Sequence, residues 1–235
     1  MLQTKKCVGM IIFVLLALLT LGGLKTGISQ ETKIELNALI SETQKSSDKP
    51  NAMSLIWWIP EEFWLASAAQ DPSFTEAQLK EILRTLQSYT IIGVVDGKIG
   101  TFGGVTYTSE AYIRSNIVLV GTDGMRYSPI SDQMISADAK NLISMLKPVI
   151  SNMLGEMGAN FHFFLFPAQN KQGQKIAKAN EHGILRVLLA NEEYRWRLPL
   201  SALLPPVFCS KCGEKCSGGW EYCPWCGTKL IKIKT

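Results

Sequence analysis

The stretch "FCSKCGEKCSGGWEYCPWCGTKL", residues 208–230, decides how the C-terminal end folds. Two Cys-x-x-Cys pairs, Cys209/Cys212 and Cys223/Cys226, stand ten residues apart, and a glycine directly follows each pair. Such a pair lets two sulfurs reach one ion from a single tight turn, and the glycine supplies the positive φ that this turn needs. Four thiolates from two turns are the ligand set of a closed, tetrahedral zinc site. The sequence therefore predicts zinc held by these four cysteines.

With this motif, the segment from about residue 207 to 230 resembles the zinc-ribbon family. The resemblance implies a small structural zinc module, with a hairpin between the two pairs that turns at residues 215–219. It does not imply one function, because zinc ribbons serve nucleic-acid machines, protein contacts and simple stabilisation alike. Cys216 departs from the pattern. A shifted ligand set or a disulfide at this fifth cysteine therefore stays open.

Two other interpretations of the cysteines compete with zinc. The sequence Cys223-Pro-Trp-Cys226 looks like a glutaredoxin-type redox pair, which requires a strand before it and a helix after it to lower the thiol pKa. A disulfide knot is the second interpretation, and it leaves one of the five cysteines unpaired.

Aromatic and basic residues are interleaved around the cysteines, a pattern that suits stacking on nucleic-acid bases. The alternative, which we favour, is that the aromatics form the core of the small module and that the lysines keep the tail soluble. The residues concerned are Trp220, Tyr222, Trp225, Lys211, Lys215, Lys229, Lys232 and Lys234.

Residues 1–29 have the pattern of a signal peptide or an N-terminal membrane anchor. Lys5 and Lys6 precede an apolar run at residues 7–24, and Gly27 and Ser29 are small residues suited to cleavage before Gln30. The run is also just long enough to span a bilayer as an uncleaved helix. Both interpretations place the body outside, so we expect it to be periplasmic, extracellular or tethered to the outer face of a membrane.

The rest of the chain divides into a polar linker at residues 30–53, a globular domain at 54–204 and the zinc ribbon at 205–235. The linker is expected to hold one short helix near residues 34–40. A hydrophobic fraction of 46% and a charged fraction of 19% indicate a folded chain. Without the leader the net charge is only +1, which weakens a nucleic-acid or anionic-membrane function. No internal repeat of useful length is evident.

The globular domain is predicted to be α+β, with a mostly antiparallel sheet and two main helices. Helices are expected near residues 61–69, 74–89 and 136–155, the second starting at a capping box of Ser73 and Glu76. Asp96-Gly97 and Asp123-Gly124 predict two hairpins, and residues 183–200 predict a third. "FHFFLFP" at residues 161–167 reads as a buried strand.

Candidate catalytic groups in this domain are few. Glu61 and Glu62 lie among tryptophans, as in carbohydrate hydrolases, but neighbouring residues on a helix point about 100° apart. Glutamate at a helix start after Pro60 is the plainer explanation. His162 and His182 are the only histidines. We assign no catalytic or cofactor-binding residue and consider catalysis the less favoured function.

The sequence thus predicts an exported or membrane-tethered binding or scaffold protein with a structural zinc ribbon, partnered by a protein of unknown identity. A hydrolase with its site in the α+β domain is one alternative. A zinc-ribbon nucleic-acid binder is the other.

Overall fold

The computed structural model describes residues 34–231 as a mixture of helices and antiparallel sheets, compatible with the α+β class. The predicted leader at residues 1–29 lies outside these residues, as do Lys232 and Lys234. Within the described part of the chain, no helix has the length and apolar character needed to cross a membrane.

Six α-helices and twelve strands make up the described residues. The helices are α1 (Leu36–Thr43), α2 (Glu61–Gln70), α3 (Glu76–Leu86), α4 (Glu110–Asn116), α5 (Ala137–Leu154) and α6 (Glu156–Ala159). The first six strands are β1 (Gln44–Ser46), β2 (Leu55–Ile59), β3 (Tyr89–Val95), β4 (Gly97–Ile99), β5 (Val105–Tyr107) and β6 (Ile117–Val120). The others are β7 (Arg126–Tyr127), β8 (His162–Pro167), β9 (Gly183–Leu189), β10 (Glu192–Leu198), β11 (Val207–Phe208) and β12 (Lys215–Cys216).

Two four-stranded antiparallel sheets share one hydrophobic core. The first has the strand order β1-β2-β3-β8, and the second has the order β10-β9-β6-β7. Trp58 of the first sheet and Trp196 of the second meet edge to face, with ring centroids 6.1 Å apart. The indole N–H of Trp196 donates to the carbonyl oxygen of Thr43 at 3.0 Å. The two sheets are therefore joined through buried aromatic rings and through the end of α1.

The segment expected to be a linker is partly built into this core. Helix α1 buries Leu36, Leu39 and Ile40, and the Thr43 hydroxyl accepts a hydrogen bond from the Trp57 indole at 3.2 Å. Strand β1 then pairs with β2. The short helix near residues 34–40 was anticipated, but its burial was not. Three apolar residues in an otherwise polar stretch are enough to cover one face of an eight-residue helix.

The main helices agree with the sequence pattern, although one cap differs. Helix α3 starts with a capping box of Thr75 and Gln78, so the predicted box of Ser73 and Glu76 is wrong. The Ser73 hydroxyl instead donates to Asp71 at 2.6 Å. Helix α5 continues through Pro148 as a single helix. Its apolar residues are mostly half-buried, so it covers the core from one side without entering it.

Two of the three predicted hairpins form. Asp123-Gly124 lies in the turn between β6 and β7, and β9 pairs along its whole length with β10. The Asp96-Gly97 hairpin is wrong, because β3 pairs with β2 and β8 while β4 pairs with β5. The Asp96 carboxylate is held by the hydroxyls of Ser54 and Thr108, which fixes the chain where it leaves the first sheet.

Candidate metal centre

The four predicted ligands come together at the C-terminal end. The sulfur atoms of Cys209, Cys212, Cys223 and Cys226 all lie within 4.8 Å of one another and could hold a metal ion. Sγ of Cys209 is 3.5 Å from Sγ of Cys226, and Sγ of Cys212 is 3.6 Å from Sγ of Cys223. Both distances far exceed the roughly 2 Å of a disulfide bond. All five described cysteines are free thiols in this arrangement.

Each cysteine pair sits in the same local structure. Gly213 and Gly227, which follow the pairs, have φ values of 74° and 70°, in the left-handed region that glycine adopts without strain. In the first turn the Gly213 N–H donates to the Cys209 carbonyl at 2.9 Å, and in the second the Gly227 N–H donates to the Cys223 carbonyl at 2.9 Å. The backbone thus brings the two thiols of each pair to one side of the turn.

The two turns belong to a repeat that the sequence analysis missed. Residues 207–216 (VFCSKCGEKC) and 221–230 (EYCPWCGTKL) align at an offset of 14, with both cysteines, the glycine and a lysine identical. In each half the aromatic residue before the first cysteine pairs across a small hairpin with that lysine, Phe208 with Lys215 and Tyr222 with Lys229. The predicted hairpin between the two cysteine pairs does not form, because each pair closes a hairpin of its own.

The repeat explains the fifth cysteine. Cys216 occupies the position that Leu230 occupies in the second half, and both side chains are buried in the small core of the module, at 1% and 6% exposure. Cys216 does not belong to the group of four clustered sulfurs. A buried cysteine behaves as a small apolar side chain. Cys216 is therefore a core residue of this module in the described structure.

The crowded thiols differ in how readily they ionise. A hydrogen bond with the Thr228 hydroxyl lowers the pKa of Cys226 to about 6. The pKa of Cys212 is raised to about 12: a backbone hydrogen bond from Glu214 favours its thiolate, but desolvation and the adjoining cysteines outweigh that bond. Four thiolates so close together repel one another unless a cation compensates them. The electrostatics of the group therefore favour a bound metal ion.

The two halves of the repeat, residues 207–230, form one module, which we call the cysteine module. It is fixed to the α+β domain through a 3₁₀ turn at Ser201–Leu203. The Glu42 carboxylate of α1 accepts hydrogen bonds from the backbone N–H groups of Ser201 and Ala202, both at 2.8 Å. Gly219 packs so closely on this turn that a Cβ there would clash with the side chain of Ser201. The junction is therefore a tight contact in which a larger side chain at position 219 has no space.

The aromatic residues of the module do not form its core, contrary to the expectation from sequence. Trp225 is 75% exposed, Phe208 66% and Tyr222 57%, and Trp220 and Ile231 are also exposed. The core consists instead of cysteines together with Val207 and Leu230. The lysines at positions 211, 215 and 229 are exposed as well. One small module thus carries a concentrated surface of aromatic and basic side chains.

Comparison with protein-family models, with curated proteins and with solved structures found no match for this chain.

The candidate catalytic groups of the α+β domain are not brought together. Glu61 forms an ion pair with Lys175 at 3.1 Å, and burial raises the pKa of the neighbouring Glu62. In the first sheet His162 pairs with Val94, whereas Ile59, two residues before Glu61, pairs with Ile91. Val94 and Ile91 are three residues apart on β3, which is about 10 Å along the strand. The glutamates and this histidine are therefore at different ends of the first sheet.

His162 gives the fold a pH dependence that can be measured. Burial lowers the pKa of His162 below its ordinary 6.5, although Nδ1 lies 3.2 Å from a Glu110 carboxylate oxygen. Below about pH 6.5 the unfolded chain takes up a proton that the folded chain does not, so stability falls as the pH drops through the folded-state pKa. We expect His162→Gln to flatten this loss between pH 6.5 and 5, as measured by urea unfolding.

The other histidine provides the control, because it lies outside that buried environment. The loss of stability that His162 causes should therefore persist in His182→Gln. If the free energy of unfolding falls equally steeply with decreasing pH in the wild-type chain and in His162→Gln, His162 is not the group responsible for the loss of stability.

Proposed function

We propose that this chain is an exported or membrane-tethered binding or scaffold protein, that its C-terminal module is a zinc ribbon with a structural role, and that this module binds a partner protein. The observation that carries the proposal is the exposure of Phe208, Tyr222 and Trp225. A module of this size has few apolar side chains to bury, and one that exposes three aromatics needs another source of folding free energy. A structural metal ion is such a source.

Zinc fits the four cysteines by distance and by chemistry. Zinc–sulfur bonds of about 2.3 Å in a tetrahedron place the sulfurs about 3.8 Å apart. Two of the separations, 3.5 and 3.6 Å, are close to that value, and all of them lie within 4.8 Å. Thiolates are soft ligands, and a closed set of four is typical of structural zinc. When bound, the ion would neutralise the thiolates and link the two halves of the repeat.

The exposed side chains support a protein partner with an acidic and apolar surface. Aromatic residues are enriched at the centres of protein interfaces, where they supply much of the binding free energy. Here Phe208 and Tyr222 each lie directly opposite a lysine, and Trp225 lies within the second cysteine turn. A partner that buries the rings and presents carboxylates to the lysines would satisfy both kinds of side chain.

Site-specific crosslinking in cells tests the partner. A photo-reactive residue at position 225 should yield an adduct with one identified protein, and the purified pair should bind directly. The same residue at position 145 is the control, because Met145 is comparably exposed, at 71%, but lies on α5. Identical adducts from both positions, or none from position 225, would contradict a protein-binding role for the module.

Single-stranded nucleic acid is a second candidate ligand, favoured by the lysines that lie opposite Phe208 and Tyr222. It predicts a crosslink at position 225 that nuclease removes, and an affinity for oligonucleotides that falls steeply with salt.

Export rests on residues 1–29, whose sequence fits a signal peptide or an anchor. Intact mass of the chain from its native compartment tests this part of the proposal. A mature chain beginning at Gln30 supports a signal peptide, and a full-length chain in the membrane fraction supports an anchor. A full-length chain in the cytosolic fraction would contradict both.

A further inference from the structure

A cleft of about 500 Å³ lies where the two sheets and the cysteine module adjoin. Its walls come from the edge strands β1 and β10, from the turn before β9, from Leu204 at the end of the α+β domain, and from the module through Gly219. Buried Trp196, Leu198 and Leu200 belong to its lining. The cleft is therefore open to solvent and is backed by residues of the hydrophobic core.

Cationic side chains dominate the cleft. Lys45, Arg195 and Arg197 line it, together with His182, and Glu42 is its single acidic residue. Both carboxylate oxygens of Glu42 are already engaged by the N–H groups of Ser201 and Ala202. Among residues 34–231, no carboxylate lies within 4.0 Å of Lys45 or Arg197. Two cations of the cleft therefore lack an anionic partner within the described chain.

The pairing of β10 with β9 adds to this excess of positive charge. Arg195 lies directly opposite Arg186, and like charges in that relation destabilise a sheet. One carboxylate, that of Glu193, lies 2.6 Å from Arg195 and 4.0 Å from Arg186. Nε of Arg186 is buried and has no acceptor among the described residues. A single internal anion thus serves two guanidinium groups.

We propose that this cleft binds a phosphate or sulfate oxyanion. Lys45, Arg195 and Arg197 would contact its oxygens, and Arg186 would add charge from the neighbouring strand. Guanidinium groups offer paired N–H donors that match tetrahedral oxyanions, and such charge-assisted bonds are strong. The oxyanion belongs either to free inorganic phosphate or to a lipid headgroup. This inference is independent of the aromatic surface and of the partner proposed for it.

The test compares variants that should change affinity in opposite directions. Binding of inorganic phosphate to the full chain is measured by calorimetry at low salt, and binding to vesicles by co-sedimentation with phosphatidylglycerol against phosphatidylcholine. Arg197→Gln and Lys45→Gln should each weaken binding roughly tenfold. Glu193→Gln should strengthen it, because it removes the internal anion that competes for Arg195. Arg84→Gln, on exposed helix α3, should change nothing.

Each result has one meaning. Phosphate binding with this pattern of variants supports the site with a free oxyanion as ligand. The same pattern with anionic vesicles alone supports a headgroup as ligand. Absence of both, or an equal loss in Arg84→Gln and Arg197→Gln, overturns the proposal. Thermal unfolding of each variant establishes that it is folded, so that a loss of binding can be assigned to the site.

Discussion

Replacing Cys223 with serine is expected to abolish stoichiometric metal binding and to unfold the C-terminal module. Cys223 is buried, and its sulfur is one of the four within 4.8 Å of one another. A structural zinc site contributes about 10–16 kcal/mol of apparent binding free energy, which small modules need in order to fold. Metal content by mass spectrometry should fall from one ion per chain to well below one. The fluorescence of the exposed tryptophans of the module should also change, because the backbone around them unfolds.

Cys216→Val is the matched control for this prediction. The substitution removes a buried thiol from the same module but puts an apolar side chain where the other half of the repeat has Leu230. We expect a full complement of metal and an unchanged module. Loss of metal from Cys216→Val together with retention in Cys223→Ser would show that the ligand set is shifted toward Cys216.

Replacing Trp196 with alanine is expected to destabilise the α+β domain by about 3–5 kcal/mol. The side chain is only 1% exposed, and it contacts Trp58 of the opposite sheet. Its loss leaves a large cavity and deprives the Thr43 carbonyl of a hydrogen bond. Urea unfolding at constant metal concentration should therefore show a midpoint well below that of the wild-type chain.

Trp225→Ala provides the comparison, since it removes the same side chain from an exposed position. Surface substitutions usually change stability by no more than about 0.5 kcal/mol. A loss for Trp196→Ala as small as that for Trp225→Ala would mean that the two sheets do not depend on this contact.

The parts of this molecule that sequence predicts are those specified by local signals. Two Cys-x-x-Cys-Gly turns identify four clustered thiols, because the ligands and the glycine lie within five residues of each other. The strands β8, β9 and β10 follow from their apolar or alternating patterns. Helix α2 follows from Pro60 and two glutamates at its start.

The errors arise where a distant contact overrides a local preference. Asp96-Gly97 is a strong hairpin signal, but hydroxyls from Ser54 and Thr108 hold Asp96 in another conformation. Helix α1 lies in a segment that is polar as a whole, and its end receives a hydrogen bond from Trp196, 153 positions further along the chain. The aromatic residues of the module were expected in its core, but cysteines with Val207 and Leu230 fill that core and the aromatic side chains are exposed. The repeat, in contrast, is a local signal that the sequence does contain, because comparing the sequence with itself at an offset of 14 reveals it.

The hydrogen bond between Trp196 and the end of α1 also constrains when this protein can fold during its synthesis. The first element of the described core, α1, is completed only by β10, one of the last to leave the ribosome. Until β10 has emerged, the Thr43 carbonyl at the end of α1 lacks its indole donor, and Trp58 lacks its edge-to-face partner. The nascent chain therefore cannot complete the contact between its two sheets until most of it has been translated.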